Sequence, residues 1–166
     1  FVNLRDFGLG PHKSVDDTPY GGGDGMLLRC EPVFAAIESV KEKDPSAKVI
    51  LPTPAGNLWT EAWARELAGG EPAEPKAALA EAGPLHYVIL CPHYEGYDER
   101  ILSIVDYKFS LGHYVLTGGE LPALIMIDSI VRLLPGVLGG ENSAVIESFS
   151  DGDNIEFPQY TKPADF

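Results

Sequence analysis

Cations are scarce in this chain. Twelve lysines and arginines face 25 aspartates and glutamates, for a formal charge of −13. That balance excludes bulk binding of nucleic acid by this chain alone, because phosphate contacts depend on Lys and Arg. The shortage is sharper in residues 84–166, with four basic and twelve acidic side chains. An RNA partner would need a few well-placed arginines, or positive charge from elsewhere. Acidity also serves solubility alone. Cysteine is scarce too. Cys30 and Cys91 form neither a CxxC pair nor a zinc pattern, which favours a reducing compartment. Four scattered histidines, with only His93 and Glu95 close together, make no metal site, so no metal is expected. The N-terminus has no basic start and no apolar signal core. The longest apolar run, Leu121–Ile127, breaks at Asp128 and is too short to cross a membrane. A soluble, cytoplasmic protein with no membrane partner is expected.

What the chain has in plenty is turn-forming residues, 18 glycines and 14 prolines, mostly clustered. Its 166 residues suit one domain with a sizeable core. Phe1–Phe7 reads as a short strand or strand end. Residues 8–26 hold six glycines and two prolines, which argues against any regular element there. A loop of that length is usually functional or disordered. Val33, Phe34, Ile37 and Val40 recur at helical spacing and predict a helix over Pro32–Lys43. Ala47–Leu51 reads as a buried strand stopped by "PTPAG", and Thr60–Ala68 as a helix with Thr60 as N-cap. Residues 69–85 read as a surface insertion. His86–Cys91 is a strongly apolar strand, Ile101–Asp106 a short helix or turn, and Lys108–Ser110 and Tyr114–Leu116 extended segments around Gly112. Pro122–Leu134 reads as a buried helix, and the chain beyond Gly139 is polar and loose. Strands alternating with helices predict an α/β fold with a mainly parallel sheet flanked by helices. Ligands bind beyond the strand carboxyl ends in such sheets. Three of those ends carry turn-rich sequence: Pro52–Gly56, Pro92–Gly96 and Thr117–Gly119.

The individual motifs leave alternatives open. "TGGELP" is neither GxGxxG nor GxxxxGK[ST], so the usual dinucleotide and P-loop sites are not encoded. It is either a loop gripping a small ligand by its backbone, or a tight strand-to-helix turn with Pro122 at the first helical position. In "PHYEGYDER" the carboxylates could hold a ribose or cation, or the loop is solvated, with Glu99 and Arg100 in surface pairs. Arg132 follows Asp128 by four residues, so the two share a helix face. They form an ion pair there, or the arginine points into a pocket. "SVDDTPYGGGDGM" is a glycine-rich phosphate cradle or an ordered Ω-like loop. There is no GxSxG motif, and Cys91 ends an apolar strand and is expected in the core.

Taken in order, "VDDTPYGGGDGM", "PTPAG", "CPHYEGYDER", "LGHYVLTGGELPA" and "IDSIVRLLPGVLG" resemble the TrmD-type tRNA (guanine-N1)-methyltransferases of the SPOUT class. The likeness runs from Asn3 to about Pro163. It implies a C-terminal trefoil knot, an exception to the rule that chains do not thread. It also implies a homodimer with the active site at the interface, S-adenosylmethionine as methyl donor, and methylation of guanine N1 at tRNA position 37. Arg132 would stabilise charge on guanine O6, and Glu147 would be the general base. Leu111, Gly112, Tyr114 and Leu116, with Ser110 beside them, would recognise adenine. Pro54, Gly56, Pro92, Tyr94, Glu95, Gly96, Gly118 and Gly119 would line the rest of the cofactor.

The sequence departs from the family pattern in four places. Glu147 stands where the family has aspartate, one methylene shorter. Pro92 stands for a glycine and removes a backbone N–H. Residues 69–85 are longer than usual. Both ends are short: residues 1–150 would be the catalytic domain without its first strand and helix, and 151–166 the start of a linker to an absent tRNA-binding domain. tRNA would then be bound through the complete protein. The alternative is a catalytically silent homologue that binds cofactor and dimerises, or serves as an interaction module. An unrelated nucleotide-binding domain is a third reading, opposed by the missing phosphate motif.

Overall fold

A computed structural model describes residues 1–69, 86–139 and 147–163. The chain forms two compact units. The first holds residues 1–59 and the described residues from 86 to 127; the second holds 60–69 and the described residues from 128 onward.

The first unit is built on three parallel strands, β3 (Lys48–Leu58), β4 (Tyr87–Ile89) and β5 (Tyr107–Ser110), in the order β4-β3-β5. Val49, Ile50 and Leu51 are consecutive and fully buried. A strand apolar on both faces belongs in the middle of a covered parallel sheet. Helix α1 (Cys30–Lys41) buries Val33, Ala36 and Ile37, and Val33 and Ile37 share one core with Val49, Leu51, Leu90 and Ile101. On β5, Phe109 is buried, meets Trp59 edge-on at 4.8 Å and stacks on Tyr107 at 6.0 Å. Removing a ring so enclosed leaves a cavity. Phe109→Ala should cost about 3–5 kcal/mol in urea unfolding; a loss under about 1 kcal/mol would mean that Phe109 does not anchor this sheet.

The α/β expectation therefore holds, while several local expectations are corrected. Leu4–Phe7 is a 3-10 turn rather than a strand, capped by the Asn3 side chain. "PTPAG" does not stop β3. The strand runs on to Leu58 and shifts register between Pro52 and Asn57, both of which pair with Phe109. Gly56 permits this: a Cβ there would lie 2.4 Å from the backbone N of Phe109. The glycine-rich segment 8–26 does contain regular structure, since Asp16–Asp17 (β1) pairs with Leu27–Leu28 (β2) in an antiparallel hairpin. Tyr114–Leu116 is not a strand; extended pairing ends at Ser110, just before Gly112 at φ 153°.

The last helix, α3, runs from Glu120 to Val131, so Pro122 is its third residue and not its first. The missing N–H costs nothing there, because the first four helical N–H groups have no intrahelical partner. Nor is this helix buried all round. Ala123, Met126 and Ile130 are buried, but Leu121 and Leu124 are 61% and 60% exposed, and Ile127 and Val131 are also exposed. In the second unit, α2 (Glu61–Leu67) starts at the expected N-cap, with Thr60 Oγ1 accepting from the Trp63 N–H. Residues 70–85, most of the expected insertion, and 140–146 lie outside the described residues. No helix among those described is long and apolar enough to cross a membrane.

Candidate active site

The three turn-rich segments do meet. Residues 52–54, 92–97, 109–111 and 114–119, with Pro122, line one cleft of about 170 Å³ in the first unit. A larger groove of about 800 Å³ runs between residues 1–5, α1 and β4. Size does not decide between them. The smaller cleft lies where β4 and β5 end, the usual ligand position in a parallel sheet.

Each wall has a local cause. Segment 91–98 is held from outside by the hairpin: Leu28 N–H donates to Gly96 O, Glu95 N–H to Met26 O and Asp98 N–H to Leu28 O. Gly25, at φ 77°, lies so close to Glu95 that a Cβ would meet its Cγ at 2.3 Å. The long glycine-rich stretch is thus the brace of the "YEGYD" wall. Tyr94 sits at φ 68°, an uncommon conformation for a residue with a side chain, which places the strain within the cleft lining. Asp98 accepts from the Arg100 N–H and guanidinium, and these hydrogen bonds hold its carboxyl well below the usual carboxylate range. Arg100 thus makes a surface pair, as one of the two sequence readings had it, and its partner is Asp98.

The opposite wall is 114–119. Gly119 N–H donates to Pro92 O at 2.9 Å, and a Cβ on Gly119 would fall 2.6 Å from both Cys91 Cα and Pro92 Cδ. Two segments can approach this closely only with glycine on one of them. His93 Nε2 and Glu120 Oε1, 2.5 Å apart, join the two walls at the surface. The floor holds Thr53 and Tyr97, whose hydroxyls are 3.1 Å apart. Around the third wall, Ser110 Oγ donates to Gly112 O, and Tyr114 N–H donates to the same carbonyl.

Of the residues expected to hold a cofactor, Pro54, Pro92, Tyr94, Glu95, Gly96, Ser110, Leu111, Tyr114, Leu116, Gly118 and Gly119 line this cleft. Gly56 and Gly112 do not: Gly56 is pressed on the β5 backbone, and Gly112 turns the chain under the Tyr114 ring. Thr53, Tyr97, Phe109, Val115 and Thr117 line it as well and were not singled out from sequence. All but Phe109 had a signal, since Thr53, Tyr97, Val115 and Thr117 lie within quoted motifs. Cys91 is only half-buried, and burial, the largest influence, raises its thiol pKa, so it is not a ready nucleophile.

Arg132 and Glu147 belong to the second unit and meet each other. Arg132 Nη1 donates to Glu147 Oε1 at 2.6 Å, and Nη2 to Oε2 at 2.7 Å. Asp128, the partner in one of the two sequence readings, instead accepts the Arg132 backbone N–H through its carbonyl. Arg132 follows the last residue of α3, so Asp128 is one helical turn back, while the fork geometry of a guanidinium favours a carboxylate it can meet side-on. The hydrogen bond from Arg132 holds the Glu147 carboxyl below its ordinary range and raises the arginine in turn. Among the described residues no group of three or more His, Cys, Asp or Glu could hold a metal ion.

The family model described as tRNA (Guanine-1)-methyltransferase TrmD matches residues 1–166. The chain belongs to the TrmD family. Curated relatives named tRNA (guanine-N(1)-)-methyltransferase include those of Lactiplantibacillus plantarum, 52% identical over 166 residues, and Geobacter sulfurreducens, 48% identical over 165. Each match takes in 99% of this chain and 61% of the relative. This chain thus spans about three-fifths of the TrmD relatives it matches. Among solved structures, the crystal structure of tRNA (m1G37) methyltransferase from Aquifex aeolicus superposes with a TM-score of 0.70 at 34% identity. That match covers 98% of this chain and 61% of the solved one. The α/β fold with its parallel sheet is therefore the TrmD arrangement.

Proposed function

We propose that this chain is the catalytic part, residues 1–150, of an S-adenosylmethionine-dependent tRNA guanine-N1 methyltransferase acting at position 37. The strongest support is the cleft in which three glycine- and proline-rich segments converge without a single lysine or arginine. A nucleotide polyphosphate would find no cation there. A sulfonium cofactor needs none, and the carboxylate of Glu95 suits its positive charge. When bound, S-adenosylmethionine supplies an activated methyl group. The chain's own task is alignment and proton removal. Guanine N1 carries a proton at neutral pH. Glu147 takes it, and Arg132 stabilises the charge that grows on O6.

The working assembly in this reading is a cytoplasmic homodimer, with a trefoil knot in each subunit and the active site at the interface. The exposed leucines and isoleucines of α3 supply an apolar face for such a contact. Calorimetry with S-adenosylmethionine tests the cofactor assignment directly. One site per chain is expected, competed by S-adenosylhomocysteine and indifferent to ATP. Binding of ATP with none of S-adenosylmethionine would refute it. Weak or no methyl transfer to tRNA is expected of this chain alone; cofactor binding with no transfer even when the chain is joined to a tRNA-binding domain would favour the silent homologue instead.

A further inference from the structure

We infer that Arg65 is a positioning residue for the base, keeping the Glu147 carboxylate in place once Arg132 turns to the substrate. This rests on the roles proposed above for Glu147 and Arg132. Both Glu147 oxygens accept from the guanidinium that guanine O6 requires. A carboxylate so held is a weak base, and a guanidinium so held is engaged. The two must part when guanine enters. The Glu147 side chain is only 15% exposed, and leaving it without a cation is costly.

Arg65 comes from α2, a different element. Its Nη2 lies 3.8 Å from Glu147 Oε1 and 3.0 Å from Glu61 Oε1, one helical turn earlier. Among the described residues the cluster therefore has two arginines and two carboxylates, with Asp128 acting on Arg132 from the last turn of α3. Arg132 is the chief cause lowering Glu147; burial opposes it and the Arg65 charge adds to it. Glu61 moves the other way, raised chiefly by burial and by Glu147, with Arg65 acting against the rise. At 3.8 Å, Arg65 attracts Glu147 without a short hydrogen bond. Glu147 then stays ionised and aimed, yet regains basicity when Arg132 leaves. After the N1 proton reaches Glu147, Arg65 still has Glu61, so no cation is stranded.

Carbon-detected NMR titration of the Glu147 carboxyl in this chain reads the coupling without any turnover. In an Arg132→Gln background, Arg65→Gln should raise the Glu147 pKa further, and Arg65→Lys should hold it down. Identical titrations with and without Arg65 would overturn the assignment. Equal shifts from Gln and Lys would mark a packing effect and overturn it too. In single-turnover methyl transfer, Arg65→Gln should lose about 10- to 100-fold in rate with S-adenosylmethionine affinity unchanged, with partial rescue by Lys. If Glu147→Gln leaves transfer intact, the base assignment fails while the NMR coupling still stands or falls by itself.

Discussion

Glu147→Gln should lower methyl transfer to tRNA by about 10²–10⁴-fold, the usual worth of a positioned general base. The amide is nearly isosteric but cannot take the guanine N1 proton. S-adenosylmethionine affinity should stay at its original value, because Glu147 is not among the residues that line the cleft. Single turnover with enzyme in excess separates this chemical step from weak tRNA binding. Glu147→Asp keeps a carboxylate and should retain activity or exceed it. The pH dependence follows from the Arg132 pair. Arg132 holds the folded carboxyl below its ordinary range, so Glu147 is ionised across neutral pH. The pair's contribution to stability is present above the unfolded carboxylate pKa and fades as pH falls through the lower folded value. A Gln variant with normal turnover would remove Glu147 from the mechanism.

Gly119→Ala should cost about 1–3 kcal/mol of strain, shown as weaker cofactor binding, a lower Tm, or both. Its methyl would meet Cys91 Cα and the Pro92 ring at 2.6 Å, and neither can yield without moving the chain. The wall 114–119 would be pushed off the wall 92–97. Gly118→Ala makes the instructive contrast. Its methyl would meet the Glu120 carboxylate at 2.6 Å and the His93 ring at 3.1 Å, both side-chain ends able to swing outward. Calorimetry and thermal melts on both variants should place Gly118→Ala much closer to the parent. Equal behaviour would mean that the Gly119–Pro92 approach does not set the cleft.

Much of the cleft was readable because its parts are local. "PTPAG", "PHYEGYDER" and "LTGGELP" each follow apolar residues along the chain, although only "PHYEGYDER" follows the end of a parallel strand, while "PTPAG" lies inside β3 and "LTGGELP" follows a segment outside the sheet. Glycine, however, has two uses that look alike in sequence. At Gly118 and Gly119 it lines the cleft, while at Gly56 it lets two strands touch and at Gly25 it admits a bracing side chain. Which use applies depends on a neighbour remote in sequence. The same limit hid the pairing of residues 26–28 with 95–98 and the role of Arg65, which reads locally as a surface partner for Glu61.

By itself the sequence determined the class of fold, the absence of a phosphate-binding motif and the family, because apolar periodicity and ordered motifs are written along the chain. Only the tertiary structure decided that β3 continues through its prolines, that one face of α3 stays exposed, and that Arg132 chooses Glu147 over Asp128. The physical reason is common to all three. Pairing, burial and ion-pair choice depend on which groups come within a few ångströms of each other, and spacing along a chain specifies that only within a helical turn or a strand.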